Sequence, residues 1–526
     1  MAAITIPIKE LELLSKASEH EIEHILTSIG VPIESKENGF YQLEITPNRP
    51  DFLSIEGLAR AIFSFKYSKI KSYKTYNCDL QLIMDESTKN IRPFIGGAVI
   101  ENINLTDSFL ESLMQLQEKL HATLGRKRKK MAIGLHDISK AKPPFFYYCT
   151  KKEINFIPLG FQKPISTKEI LQNHPKGKEY GHLIKDSYPI IQDSLENVLS
   201  FPPIINGEFS KLTINTKKIF IDCTGTDQKA ILDAINIICA AFVDRGAKIY
   251  QIKINKKPYK IFQNIKTQYD YKKANKILGL NLSKEKQKAL LLKMGHQLKS
   301  NYVVSHSYRT DILDQIDIVE DLAIAYGYNN FIPTTPEFIC TPHLEEDYDW
   351  FAELLIGLGF FEVSSWILTN KNILQKANVK NLVVVSNPLT EEFTTLRPLI
   401  YPNILEIFSI SKSAKMPQKV FEIGPVVFLE ENKIKEQINC CFASAYPKAN
   451  LTTLLEDVKG IFQTLNISYS LQEANLDGFI NGRAAEIKID NKFVGFLGEI
   501  HPQVLESFAI EQPVIVCELF LEKIFK

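Results

Sequence analysis

The spacing of apolar residues cuts the chain into segments of two different periods. From residue 8 to 30, IKELELLSKASEHEIEHILTSIG sets leucines and isoleucines three and four residues apart, which predicts one amphipathic helix stopped by Gly30. YQLEIT, which follows, alternates as a strand. FIGGAVIENI alternates again, and its twin Gly96-Gly97 predicts close approach of another backbone. A strand-rich section runs from about Ile91 to Lys257, with turns at Pro143-Pro144 and Pro202-Pro203 and one helix, QKAILDAINIICAAFVDRG. From about His343 an α/β section continues, with a helix in DYDWFAELLIGLGF and strands in NLVVVSN, KVFEIGPVVFL and EIKIDNKFVGFLGEI.

One helical segment carries chemistry on its polar side. In YRTDILDQIDIVEDLAIAYGY, Asp317, Glu320 and Asp321 stand at i, i+3 and i+4 and share a helix face, with Asp311 just ahead of the helix. Ile316, Val319, Ala323 and Tyr326 form the apolar side. Four carboxylates drawn together repel unless a cation or a basic partner sits among them. Oxygen-only ligands suit magnesium, and a solvated acidic face is the alternative. The same words occur in PNRPDFLSIEGLARAI at 47–62, where Arg49, Asp51 and Leu53 match Arg309, Asp311 and Leu313. Ile55-Glu56-Gly57-Leu58-Ala59 then matches Val319-Glu320-Asp321-Leu322-Ala323, after four fewer residues, about one helical turn. The chain therefore holds two related small modules, of which the second alone has the full carboxylate set.

Bulk properties narrow the class without naming a function. A length of 526 residues predicts three or four domains, and 45% hydrophobic with 23% charged residues suits packed, water-soluble cores. The net charge of +1 gives no global pull toward nucleic acid, so any RNA contact rests on local patches or on a partner. Eight scattered cysteines without a CxxC pair point away from zinc and disulfide frameworks, toward a reducing cytoplasm. The N-terminus has no apolar signal core, and no run is long enough to span a membrane.

Three further motifs have local chemistry. Gly125-Arg126-Lys127-Arg128-Lys129-Lys130 concentrates five cations, as phosphate contacts require or as a solvated charge run would show. Ser200-Phe201-Pro202-Pro203-Ile204-Ile205-Asn206-Gly207 reads as an apolar cleft wall with small polar groups. In IDCTGTD, Asp222 and Thr224 share a face if extended, suited to a phenol hydroxyl, to a held water, or to local turn hydrogen bonds. His136 and His174 are candidate pocket-lining residues.

Taken in order, these segments resemble the family of phenylalanyl-tRNA synthetase β subunits in archaeal and eukaryal form. The resemblance runs through the doubled module, QEKLHATLGRKRKKMAIGLHDI, HPKGKEY, VLSFPPIINGE, IDCTGTD, NIICAAFVDRG, VFEIGPVV and GFLGEIHPQVLESF. It implies an α+β multidomain fold: an N-terminal module at 1–88, a mixed α/β editing domain at 89–260, an acidic magnesium-binding module at 266–336, and a class II synthetase-like antiparallel-sheet domain at 340–526. The two small modules are helical and winged-helix-like. By the same resemblance Ser200, Asp222 and Thr224 belong to a pocket that hydrolyses tyrosine mischarged on phenylalanine tRNA. The basic run, beside a glycine-marked loop, predicts that Arg126, Lys127 and Arg128 hold the tRNA acceptor end, and the resemblance implies that Asp311, Asp317, Glu320 and Asp321 bind Mg2+.

The C-terminal part lacks what a working class II site needs. Phe421-Glu422-Ile423-Gly424 has no arginine two residues before an acid, and Gly498-Glu499-Ile500-His501 has no late arginine; Arg397 and Arg483 lie outside the pattern. Synthesis is therefore expected of another chain. The resemblance implies a catalytic α subunit that binds most of the ATP, an α2β2 assembly, tRNA(Phe) as partner, and a cytoplasmic location. A free-standing tRNA deacylase and a non-catalytic RNA-binding module are the competing readings.

Overall fold

In the computed structural model of the protein, which describes residues 2–335 and 348–525, the short repeat around Arg49 and Arg309 extends to a whole small fold. The first copy runs strand Ala2–Pro7, helices Ile8–Ser15 and Glu19–Ser28, strands Ile33–Glu37 and Phe40–Ile45, and helix Ile55–Tyr67. The second repeats that order as Ile265–Gln268, Tyr271–Leu278, Lys284–Lys293, Gln297–Lys299, Tyr302–Ser305 and Gln315–Tyr326. Both sheets are antiparallel with the third strand in the middle. Each module is thus three strands and three helices, richer in strand than its helical pattern announces. The continuous helix expected over 8–30 is two helices. Lys16 takes a left-handed φ of 56°, and Ser18 and Glu21 form a reciprocal capping box that starts the second.

Between the modules lies a ten-stranded mixed sheet. Its strand Thr75–Met84 pairs in parallel with Lys248–Ile254 and Phe145–Thr150. That strand falls within the 1–88 expected for the N-terminal module, yet its hydrogen bonds belong to the sheet. Helix Gln228–Asp244 packs on the sheet as its apolar run predicts, and a second long helix, Asp107–Ala122, joins it. Its stripe is narrow: Phe109, Leu113, Leu116 and Leu120 are buried at helical spacing among mostly polar residues, so the strand-rich reading overlooked it. One apolar core continues from Leu11, Leu58 and Ile62 of the first module to Phe109, Ile235 and Phe242 of these helices.

By its contacts the chain divides into two compact units, Met1–Thr335 and Pro336–Lys526. The expected border at 336–340 and the start near His343 lie outside the described residues. The second unit is built on a seven-stranded sheet, antiparallel except where Phe361–Glu362 pairs with Gln418–Glu430. Long hairpins Gln418–Glu430 with Lys433–Ala445, and Phe479–Ile489 with Lys492–Ile500, supply most of it. Phe351, Leu454 and Phe462 cover one face of that sheet; Ile404 and Phe408 cover the other. Of NLVVVSN, only Val383–Val384 is a strand. Among the described residues no helix is long and apolar enough to cross a membrane.

Candidate active site

A cavity of about 380 Å³ opens in the first unit between strand Met131–Asp137, strand Lys218–Gly225 and the loop at 202–206. Asp222 lines it, only 1% exposed. Its Oδ1 lies 2.6 Å from His136 Nε2, and His136 Nδ1 lies 2.8 Å from Ser210 Oγ. Gly134, paired with Asp222 across the sheet, makes room: a Cβ there would stand 2.2 Å from Asp222 Oδ1 and 2.6 Å from His136 Nε2. Asp222 Oδ2 receives no hydrogen bond from the described residues. On the opposite wall Ser200 Oγ donates to Asn206 Oδ1 at 3.1 Å. The cavity therefore offers one turned carboxylate oxygen and a small hydroxyl–amide pair among both apolar residues, such as Ile133, Leu135 and Ile204, and charged ones, Glu118, Arg128 and Lys176. Such a lining suits a small aromatic group bearing a hydrogen-bond donor.

Thr224 is not part of this lining. It is fully buried; its Oγ1 receives Arg92 Nε at 3.3 Å and its carbonyl receives Arg92 Nη2 at 2.6 Å. Asp222 and Thr224 do sit two apart on one strand, as the alternation predicted, but the buried Arg92 claims the second position. Of the two histidines, His174 lines the cavity and caps the helix Pro175–Tyr180, with burial and Lys176 lowering its pKa. His136 stands behind the wall, reaching the cavity only through Asp222 and Ser210.

The basic run splits in two. Residues 126, 127 and 128 form a left-handed turn, with φ of 45°, 53° and 63°. That turn leaves Arg126 and Lys127 exposed and sends Arg128 inward. The expectation that Arg128 holds tRNA is therefore corrected: it is 5% exposed, and its charge is spent inside. Nη1 donates to the carbonyls of Pro203 and Ile204, each at 3.0 Å, and Nη2 pairs with Glu118 at 2.9 Å. The guanidinium also stacks 4.5 Å from the Tyr180 ring. It ties down the cavity wall. Arg92, Glu118 and Ser210 were not singled out from the sequence, because residues far apart in the chain meet here only through the sheet.

The acidic module is also rearranged. Helix Gln315–Tyr326 buries Ile318, Val319, Leu322 and Ala323, and Asp321 with them, while Ile316 is 53% exposed. Asp321 Oδ2 is 2.6 Å from both Arg309 Nη2 and His296 Nε2, and Arg309 also grips Asp311 through Nε and Nη2. Against the cost of burial, the Arg309 guanidinium holds both carboxyls below their usual range. Asp317 Oδ2 accepts the amides of Leu313 and Asp314, and Glu320 points to solvent. The four carboxylates do not converge on one point; a basic partner, Arg309, neutralises two of them. As a set they do not fit a single metal ion, and among the described residues no group of three or more ligating side chains is gathered for one.

The first copy repeats the clasp, Arg49 gripping Asp51 at 2.9 Å twice, but puts Gly57 where the second has Asp321. A Cβ at Gly57 would fall 1.7 Å from the Asp51 carbonyl oxygen. The four extra residues of the second copy relieve that contact and admit an aspartate. Glu56, the match of Glu320, is buried against Arg245. The copies meet where Arg60 stacks 3.9 Å from the Tyr308 ring.

In the second unit Arg397 is buried, 2.6 Å from Glu422 and 2.8 Å from Ser365, and Arg483 pairs with Glu499 at 2.7 Å. Both guanidinium groups are engaged by the protein itself.

Comparison with known proteins agrees with this picture. Residues 341–521 match the model of the phenylalanyl tRNA synthetase beta chain CLM domain, and residues 267–328 match the tRNA synthetase B5 domain. The phenylalanine–tRNA ligase beta subunit of Archaeoglobus fulgidus is 38% identical over 100% of this chain and 99% of its own. That of Methanosarcina barkeri is 36% identical over 99% of each. The crystal structure of an N-terminal fragment of the phenylalanyl-tRNA synthetase beta subunit from Pyrococcus horikoshii covers 62% of this chain and 99% of that one, with a TM-score of 0.59 and 34% identity. The chain belongs to the phenylalanine–tRNA ligase beta-subunit family.

Proposed function

We propose that this chain proofreads and scaffolds: it hydrolyses tyrosine from mischarged tRNA(Phe) in the cavity at Asp222 and Ser200, and it carries a separate catalytic α subunit in an α2β2 assembly. Asp222 supports the first part. A carboxyl group with one oxygen held and the other turned into the cavity accepts a phenol O–H, and a phenylalanine ring leaves it unpaired. Water then adds to the ester carbonyl and the tRNA ribose hydroxyl leaves. No general base stands beside the ester in this reading, so the pocket's polar groups and the tRNA's own hydroxyl hold that water. Arg126 and Lys127, exposed at the turn, hold the acceptor end.

Scaffolding draws support from the engaged state of Arg397 and Arg483, which leaves no arginine grip for ATP, so the α subunit binds it. Magnesium belongs to this reading at the open flank of the second module, on Glu320 and Asp317 Oδ1, with water or the partner completing the shell. The assembly works in the cytoplasm.

The deciding experiment is deacylation of tyrosyl- and phenylalanyl-tRNA(Phe) by the complex with α, wild type against Asp222→Ala. Removing an acceptor that tyrosine pairs and phenylalanine strands erases about 1–3 kcal/mol of discrimination, roughly five- to a hundred-and-fortyfold. An unchanged preference removes Asp222 from the site; no tyrosyl release by wild type removes the proofreading.

A further inference from the structure

The orientation of Asp222 is set by His136, which does not line the cavity, backed by Ser210, which does. Asp222 Oδ1 is held by His136 Nε2, on the neighbouring strand. With Nε2–H donating, Nδ1 accepts from the Ser210 hydroxyl at 2.8 Å. Ser210 itself sits on a short turn, Glu208–Ser210, with the carbonyls of Leu199 and Gly207 each 3.4 Å from Oγ. The imidazole lies stacked with Phe220 at 6.1 Å and is fully buried, so it has little freedom to rotate. Gly134 removes the one Cβ that would wedge the pair apart. One residue, His136, itself held by Ser210, thus fixes one carboxylate oxygen and leaves the other to the cavity.

We propose that His136, oriented by Ser210, is the positioning residue that gives the cavity its preference for a phenolic hydroxyl. The inference rests on the proofreading reading above and adds to it the origin of selectivity. A carboxylate free to swing accepts the hydroxyl in many orientations and binds it weakly. One locked through Oδ1 meets it in a single geometry, and the ordering cost is already met by the fold. His136 touches neither ester nor water, so its effect falls on binding of the tyrosyl ester and not on the rate of its hydrolysis.

The test uses the complete complex with the α subunit and single-turnover hydrolysis of tyrosyl- and phenylalanyl-tRNA(Phe) over a range of enzyme concentrations. For Ser210→Ala the half-saturating concentration for the tyrosyl ester rises about tenfold. Its rate at saturation stays within about twofold, and the phenylalanyl ester is unaffected. A second pair of variants separates positioning from packing. His136→Gln keeps an N–H toward Asp222 and retains most of the tyrosine preference. His136→Phe keeps the ring and loses the donor, and with it the preference. A packing role reverses that order. Equal losses for both esters, or a tyrosine preference untouched in Ser210→Ala and His136→Phe alike, overturn the proposal. Absence of tyrosyl hydrolysis in the wild type overturns the proofreading reading itself, before any variant is compared.

Discussion

The inward turn of Arg128 makes a prediction that separates it from the two cations beside it. Replacing Arg128 by Met keeps most of the buried stem and deletes the guanidinium. The carbonyls of Pro203 and Ile204 then lose their donor and Glu118 loses its cation. Each stranded buried acceptor costs about 1–3 kcal/mol. Glu118 is half-exposed, and water re-solvates it, so its share is small. The sum is roughly 3 kcal/mol, well above the ~0.5 kcal/mol of an ordinary surface change. The wall at 202–204 borders the cavity, so tyrosyl-tRNA hydrolysis falls with it. Arg126→Ala and Lys127→Ala behave oppositely. They leave melting unchanged, weaken tRNA binding, and lower the slope of log affinity against log salt by about 0.7–0.9 for each phosphate no longer neutralised. Thermal unfolding of the complex and filter binding at several salt concentrations check both arms. A salt-slope change in Arg128→Met without loss of stability refutes the assignment, and so does a stability loss in Arg126→Ala.

Two other expectations follow from the same packing. Glu320→Gln lowers the magnesium content of the purified complex by at least half and leaves its melting unchanged. Asp321→Asn instead destabilises the fold by about 3 kcal/mol and lowers its melting temperature, because buried Arg309 loses a counter-charge and His296 a hydrogen-bond partner; equal melting of the two variants refutes this division. His121 is buried and accepts the Ile133 amide at 2.8 Å through Nε2; burial lowers its pKa despite the nearby Glu118. The folded state therefore binds fewer protons than the unfolded one, so stability rises with pH up to about the ordinary histidine value of 6.5 and declines below it. Melting between pH 7 and 5 measures this contribution, and His121→Gln flattens the decline; an unaltered pH slope in that variant contradicts it.

The sequence announced what depends on neighbours in the chain and missed what depends on the sheet. Alternation in IDCTGTD foretold that Asp222 and Thr224 share a strand face. Nothing local could tell that Arg92, 132 residues away, fills the space at Thr224, or that His136, 86 residues away, holds Asp222. Helix Asp107–Ala122 was overlooked for a different reason, because its buried stripe is narrow and most of its remaining positions are polar.

The acidic helix shows how a correct spacing misleads. Positions i, i+3 and i+4 do lie near one another, but a helix buries a sector and not a line, and its boundary falls between Glu320 and Asp321. One carboxylate is outside and free for a cation; the next is inside and requires Arg309. The comparison of the two copies makes the same point from the glycine side. Gly57 is dictated by the Asp51 carbonyl oxygen, which leaves no room for any Cβ, so the first module closes on its own Arg49–Asp51 pair. An insertion of one helical turn lifts that restriction in the second module and lets a buried aspartate enter. The buried aspartate of the second copy thus goes with a helix one turn longer at its start, as well as with a change of residue.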